Sequence, residues 1–366
     1  MKFVQLSLIL VLLVMQTACQ FNIGARPQSK QRPPSQSSQP ATSRPDRMAG
    51  PAYETYAKEV AKQWVNNNYE WLESEAKRLR ETKERLPGGY WKLRVLYRTV
   101  ETIVSAESPD QSWQEHIARV ENWVKQRPTS IMPRIVLAEV WRTYAWKIRG
   151  SGFSNTVKNE NWKPFHERLD KANEALAAAA NLGEQCPEWY LAALLAARAQ
   201  SVERATFEQI YEQGVALEPA YYYLYQAKAG YLLPRWYGQP GEWERYAETA
   251  ANKVGGEQGD IILFTIYSDM MNYHDLQFMN EHQAIAPRLI LGFRAIDKLY
   301  GASPQRLNEA CLISFFAGDS KTPAELMARI GDNYDVSVWK DESMFNVFRQ
   351  EALMRTGELP RHGRQQ

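Results

Sequence analysis

Cysteine is scarce. Among 366 residues there are three, Cys19, Cys186 and Cys311, and no two of them form a CxxC pair, so neither a disulfide framework nor a four-cysteine zinc site can be built. Histidine is nearly as sparse, with five residues and no HExxH spacing. His274 and His282 are the one pair that a continuous helix could align, and no metal ligand set emerges from them. The chain has no G-x-S-x-G elbow. Its glycine-bearing RGSGFS stretch lacks the Lys-Ser/Thr and the preceding strand that a phosphate-binding loop needs. Neither sign of charge dominates, with 44 Lys and Arg against 42 Asp and Glu, which argues against a nucleic-acid partner. No segment alternates with the period of two that a half-buried strand requires, so no sheet is expected. No catalytic residue, metal or cofactor is therefore assigned.

What is present begins with an address. MKFVQLSLILVLLVMQTAC places one positive residue, Lys2, before an apolar run from Phe3 to Met15. That is the layout of a secretory signal peptide, over residues 1–18, and the run falls short of the ~20 residues that span a bilayer. Its end, Gln16-Thr17-Ala18-Cys19, resembles a bacterial lipobox, with Gln16 where Leu is usual. The resemblance implies lipidation at Cys19 and a membrane tether in the cell envelope, facing the periplasm or the exterior. Residues 19–50 are rich in Pro, Ser, Gln and Arg and nearly devoid of apolar side chains after Ile23. Such a segment buries too little surface to offset its ordering entropy and is expected to be a disordered linker.

From Tyr53 onward apolar residues recur every three or four positions, the signature of amphipathic helices. Tyr53, Ala57, Val60, Trp64, Trp71, Leu72, Ala76 and Leu79 predict one helix from 53 to 86, stopped by Pro87-Gly88-Gly89. A second is expected from 89 to about 108, and an antiparallel pair is joined by Pro128-Thr129-Ser130. Pro187 and Pro219 stand 32 residues apart, each ahead of a Trp- and Tyr-rich helix. That spacing is close to the roughly 34 residues of a tetratricopeptide unit. Small residues at Ala175, Ala192, Ala196, Gly214, Ala227, Gly230, Ala247 and Ala250 would let neighbouring helices approach. The expected fold is all-α: a tetratricopeptide-like antiparallel helix-pair array, an α-solenoid, over 51–265. A C-terminal helical cap over 266–358 and a flexible tail over 359–366 complete it. Such an array exposes a concave groove.

Two stretches interrupt the helices. Arg149–Phe165 is a glycine-bearing connection, and LLPRWYGQP (232–240) sets two prolines and a glycine around Arg235 and Trp236. WKIRGSGFSNTVKNENWKPFHERL and LLPRWYGQPGEWERYA resemble the bacterial family of domain of unknown function 4034. Its Arg-Gly-x-Gly stretch falls here on Arg149, Gly150 and Gly152. Its Val, Trp and Phe fall on Val157, Trp162 and Phe165, and its Leu-x-Pro-Arg-Trp-x-Gly corner on Leu232, Pro234, Arg235, Trp236 and Gly238. The resemblance spans roughly residues 65–265 and implies a helical-repeat fold with no known activity.

Two readings of the corner follow. As a structural turn, Pro234 ends one helix, Gly238 permits the reversal and Pro240 opens the next helix. As a binding site, Arg235, Trp236, Arg149 and Trp162 would contact a protein or peptide in the groove, since Trp and Arg dominate binding hot spots. A scaffold or assembly role is the leading expectation. The alternative is an enzyme or recognition module acting on cell-envelope glycans, marked by two carboxyl groups about 5–10 Å apart in an aromatic cleft.

Overall fold

A computed structural model describes residues 49–150, 152–274 and 278–357. The segments expected to be a signal peptide and a linker, with Cys19 between them, and the expected tail fall on residues 1–48 and 358–366, which lie outside the described residues. Among the described residues, no helix is long and apolar enough to cross a membrane. The backbone divides into two compact units: residues 57–84 with 92–239, and residues 49–56 with 85–91 and 240–357.

The chain opens on α1 (Pro51–Val65) and α2 (Tyr69–Thr82). The single helix expected over 53–86 is broken at Asn66-Asn67-Asn68. Asn67 takes a left-handed φ of 54°, and the Asn68 side chain accepts the Trp71 backbone N–H at 3.3 Å, a side-chain N-cap that starts a new helix. After α2 the backbone makes a two-residue antiparallel ladder, β1 (Arg85–Leu86) with β2 (Tyr90–Trp91). This is a small exception to the expected absence of strands. It follows from Gly88 and Gly89, both at positive φ, which close a tight reversal behind Pro87.

In the first unit α3 (Lys92–Glu101), α4 (Asp110–Gln126), α5 (Met132–Arg149), α6 (Asn159–Ala180), α7 (Pro187–Ala199), α8 (Arg204–Leu217) and α9 (Tyr222–Tyr231) follow in order. Sequence neighbours from α4 to α9 pack as antiparallel pairs. In addition α3 packs on α5, α5 on α7 and α7 on α9. One layer is thus α3–α5–α7–α9, and α4, α6 and α8 alternate behind it, the arrangement of a helix-pair array. The small residues predicted to allow close approach are buried. A Cβ on Gly214 would lie 2.9 Å from the Tyr190 side chain. Trp64, Tyr69, Trp113 and Trp123 fill the first repeats, with Tyr69 stacked on Trp123 at 5.0 Å.

The second unit holds α10 (Glu242–Val254), α11 (Gly256–Met270), α12 (Ala286–Tyr300), α13 (Pro304–Ser314), α14 (Lys321–Ile330) and α15 (Glu342–Thr356). Two single helical turns, Phe278–Glu281 and Val336–Trp339, join the longer elements. The β1–β2 hairpin belongs to this unit. The Gly88 N–H donates to the Gly301 carbonyl at 2.7 Å, and the buried Arg306 donates to Glu309 at 2.9 Å. His274 stacks on Phe278 with ring centroids at 4.7 Å, and His282 lies tilted against the same ring at 4.3 Å. Among the described residues no group of three or more His, Cys, Asp or Glu is placed to hold a metal ion.

Candidate functional site

Two clusters in the first unit carry charge where the helices meet. One is a buried ladder along the α3–α5–α7–α9 layer. Arg94 of α3 forks onto Glu101 one helical stretch later, at 3.3 and 3.0 Å. The same guanidinium reaches Glu188 at the start of α7 at 2.7 Å. Glu188 in turn accepts the Tyr221 hydroxyl just ahead of α9. On the intervening helix α5, Arg142 grips Glu139 with two hydrogen bonds of 2.8 Å. Glu101, Glu139 and Glu188 are 4%, 3% and 1% exposed. Burial of this kind is tolerated only with ionic and hydrogen-bonding partners.

Three carboxyl groups lie here with Arg94, Arg142 and Arg198 around them, and they are affected unequally. Burial, reinforced by Glu139 and Glu188, pushes Glu101 up to about 7 despite Arg94. Burial raises Glu188 too, against the pull of Arg94 and Tyr221. Burial would also raise Glu139, but the Arg142 fork with Arg94 and Arg198 outweighs it and holds that carboxyl below its usual value. Beside the ladder, the Tyr97 hydroxyl lies 3.6 Å from the Cys186 sulfur. Cys186 and Cys311 are both buried free thiols, and burial raises the pKa of each. They are therefore held as neutral, unreactive thiols.

The second cluster is the corner. The last turn of α5 presents Trp146 and Arg149 three residues apart, on one face. Gly150 follows at φ 77° and its N–H donates to the Trp146 carbonyl, a helix stop that few side chains permit. The first turns of α6 return Trp162 and Phe165 against that face, and Phe165 is buried with Ala145 and Leu169. The Arg149 guanidinium stands 4.8 Å from the Trp146 ring centre, 5.3 Å from Trp162 and 5.9 Å from Phe165. These separations are within cation–π range. Trp236 meets Trp146 edge to face at 5.9 Å, and Arg198 at the end of α7 stands 5.3 Å over Trp236.

What holds Trp236 there is the tight reversal after α9. The Trp236 N–H donates to the Leu233 carbonyl at 2.8 Å and the Tyr237 N–H to Tyr231 at 3.1 Å. Gly238 is buried so closely against this turn that a Cβ would sit 1.8 Å from the Leu232 carbonyl oxygen. The Tyr237 ring stacks on Tyr231 at 4.7 Å, and its hydroxyl is 2.8 Å from the Arg198 carbonyl.

Of the four residues singled out by sequence, Arg149, Trp162 and Trp236 come together in this cluster, and Arg235 is exposed on the turn beside it. Trp146, Arg198 and Tyr237, which complete the cluster, were not singled out. A Trp three residues before an Arg at a helix end was the available signal for the first of them. The ladder was not anticipated at all.

Arg149 differs from every rung of the ladder. Its Nη1 donates to the Gly150 and Gly152 carbonyls at 3.2 and 3.1 Å, and it makes no ion pair with a carboxylate among the described residues. Burial consequently pushes it below the usual arginine value, with only the Tyr237 phenol acting the other way.

No curated protein and no solved structure matches the chain. Residues 57–208 match the model of a family described as domain of unknown function (DUF4034). The matched stretch contains Arg149 and Trp162 and ends before Trp236. The helical array from within α1 into α8 is thus the part of the chain that is similar to this family.

Proposed function

We propose that this chain is a lipid-tethered protein of the bacterial cell envelope whose helical array binds a protein or peptide partner at the Arg149–Trp236 corner, in a scaffold or assembly role. The observation that carries the reading is Arg149. A half-buried guanidinium is set among three rings, with no carboxylate among the described residues to neutralise it. Trp and Arg in one partly desolvated cluster are what binding hot spots are made of, and Phe153, 49% exposed, follows Gly152, whose carbonyl accepts from Arg149. The tether rests on the signal-like N-terminus, Cys19 and the polar linker behind it.

The glycan-enzyme alternative has less support. Glu101 and Glu188, which share Arg94, are sealed in the ladder and bound to Arg94 and Tyr221. They offer no open oxygen to a sugar. In-cell crosslinking of the full chain, beside Arg149→Glu and Trp236→Ala forms shown to fold by circular dichroism, tests the proposal. A stoichiometric protein partner lost in both variants is expected. A partner retained by both would move the docking face elsewhere.

A further inference from the structure

We infer that the group read at this corner is a side-chain carboxylate, carried beside an apolar residue on an acidic segment of the partner. The inference rests on the partner-binding reading and adds the chemistry of the ligand. Guanidinium has five N–H donors in a planar fork. In Arg149 the two on Nη1 point to the Gly150 and Gly152 carbonyls. The Nε and Nη2 donors make no hydrogen bond among the described residues. That leaves one side-on edge, the geometry that a single carboxylate fills with two parallel hydrogen bonds.

Three further features narrow the choice. The two loop carbonyls beside Arg149 are acceptors, which disfavour a dianionic phosphate but tolerate a monoanion bound on the opposite edge. Sugar stacking needs open ring faces, yet Arg149 lies over Trp146 and Trp162, Arg198 lies over Trp236, and His166 stacks on Trp162 at 5.9 Å. The exposed Phe153 ring is available to an apolar side chain flanking the carboxylate. An acidic-apolar peptide satisfies all three.

The test uses the full chain and three fluorescein-labelled octapeptides read by fluorescence anisotropy. One alternates Phe with Glu and is C-terminally amidated, one has Gln for Glu and is amidated, and one has Gln for Glu with a free C-terminal acid. The amidated Glu peptide is expected to bind about tenfold or more tightly than its Gln counterpart. That preference should be abolished by Arg149→Gln and only partly kept by Arg149→Lys, which retains the charge but not the fork. Circular dichroism and melting confirm that each variant folds.

Equal binding of both amidated peptides, still lost in Trp236→Ala, overturns the carboxylate and leaves the partner site. Tight binding only of the peptide with the free terminal acid overturns the side-chain assignment. Binding of none of the three overturns the inference, and the crosslinking result then decides the partner-binding reading separately. Capture of the chain on phosphatidylglycerol vesicles, lost in Arg149→Gln and with no peptide preference, overturns it in favour of a lipid surface.

Discussion

Arg94 and Arg149 lie in the same unit, the first largely buried and the second half-buried, yet they are treated in opposite ways. Arg94 has two carboxylates within 3.3 Å and sits at the centre of a ladder that reaches Tyr221. Arg149 has aromatic rings and two backbone carbonyls. A buried charge whose partners come from its own fold serves that fold. A partly buried charge supplied with rings and two carbonyls is not neutralised by a carboxylate among the described residues. On the proposed function, the contrast separates an arginine that serves the fold from one offered to a partner.

The largest expected effect attacks the first half of the contrast. Arg94→Ala strands Glu101 and Glu188 in the interior and should cost roughly 3–5 kcal/mol, lowering the melting temperature by about 10 °C. A shift of only a degree or two would mean that the ladder is hydrated and ordinary. Next in size is the scaffold beneath the corner. Gly238→Ala forces a methyl against the Leu232 carbonyl and should destabilise by about 2–3 kcal/mol. It should also displace Trp236, visible as an altered near-ultraviolet circular dichroism spectrum. An unchanged spectrum would show that the reversal can open without moving the ring.

A third experiment sharpens the account of the ladder through pH. Glu101 is raised to about 7 in the fold against roughly 4.3 unfolded, so the folded state holds an extra proton between those values. Its contribution to stability therefore increases as pH falls from 7 toward 4.5. His116 runs the other way. Burial lowers it to about 4 from roughly 6.5, and its contribution is lost as pH falls through that window. Each slope is at most about 1.4 kcal/mol per pH unit, and they nearly offset between pH ~5 and ~6.5. Glu101→Gln should expose the histidine, with the melting temperature falling on acidification. His116→Phe should reverse the sign. Parallel profiles in the two variants would remove Glu101 as the shared proton site.

The smallest expected effect falls on the other arginine. Arg149→Ala forfeits cation–π contacts and two carbonyl hydrogen bonds near the surface, on the order of 1 kcal/mol or less. Its melting temperature should stay within a few degrees of wild type. A loss as large as that of Arg94→Ala would erase the distinction between the two arginines.

The helices, their pairing through α4 and α5, and three of the four corner residues could be read from periodicity, prolines and glycines, because those features act locally. The Asn66-Asn67-Asn68 break was readable too, as a run of poor helix formers that cap and turn, but the apolar stripe on either side continued through it and masked it. The ladder was not readable. Glu101, Glu139 and Glu188 each sit among apolar residues on an inward face, and no local rule tells which distant Arg or Tyr will meet them. Trp146 carried a local signal three residues before Arg149, but its pairing with Trp236, ninety residues away, did not.

One rung of that ladder changes what kind of object the array is. Stacked repeats ordinarily communicate only with their immediate neighbours and can melt inward from an end. Arg94 reaches past α5 to Glu188 on α7, and Glu188 continues to the residue before α9. Bonds that run from α3 to α7 and on to the residue before α9 couple these helices, so none of them can be lost without exposing charge in the others. The middle of the array should accordingly exchange its amide protons as one block, giving the corner at its far end a stiff foundation.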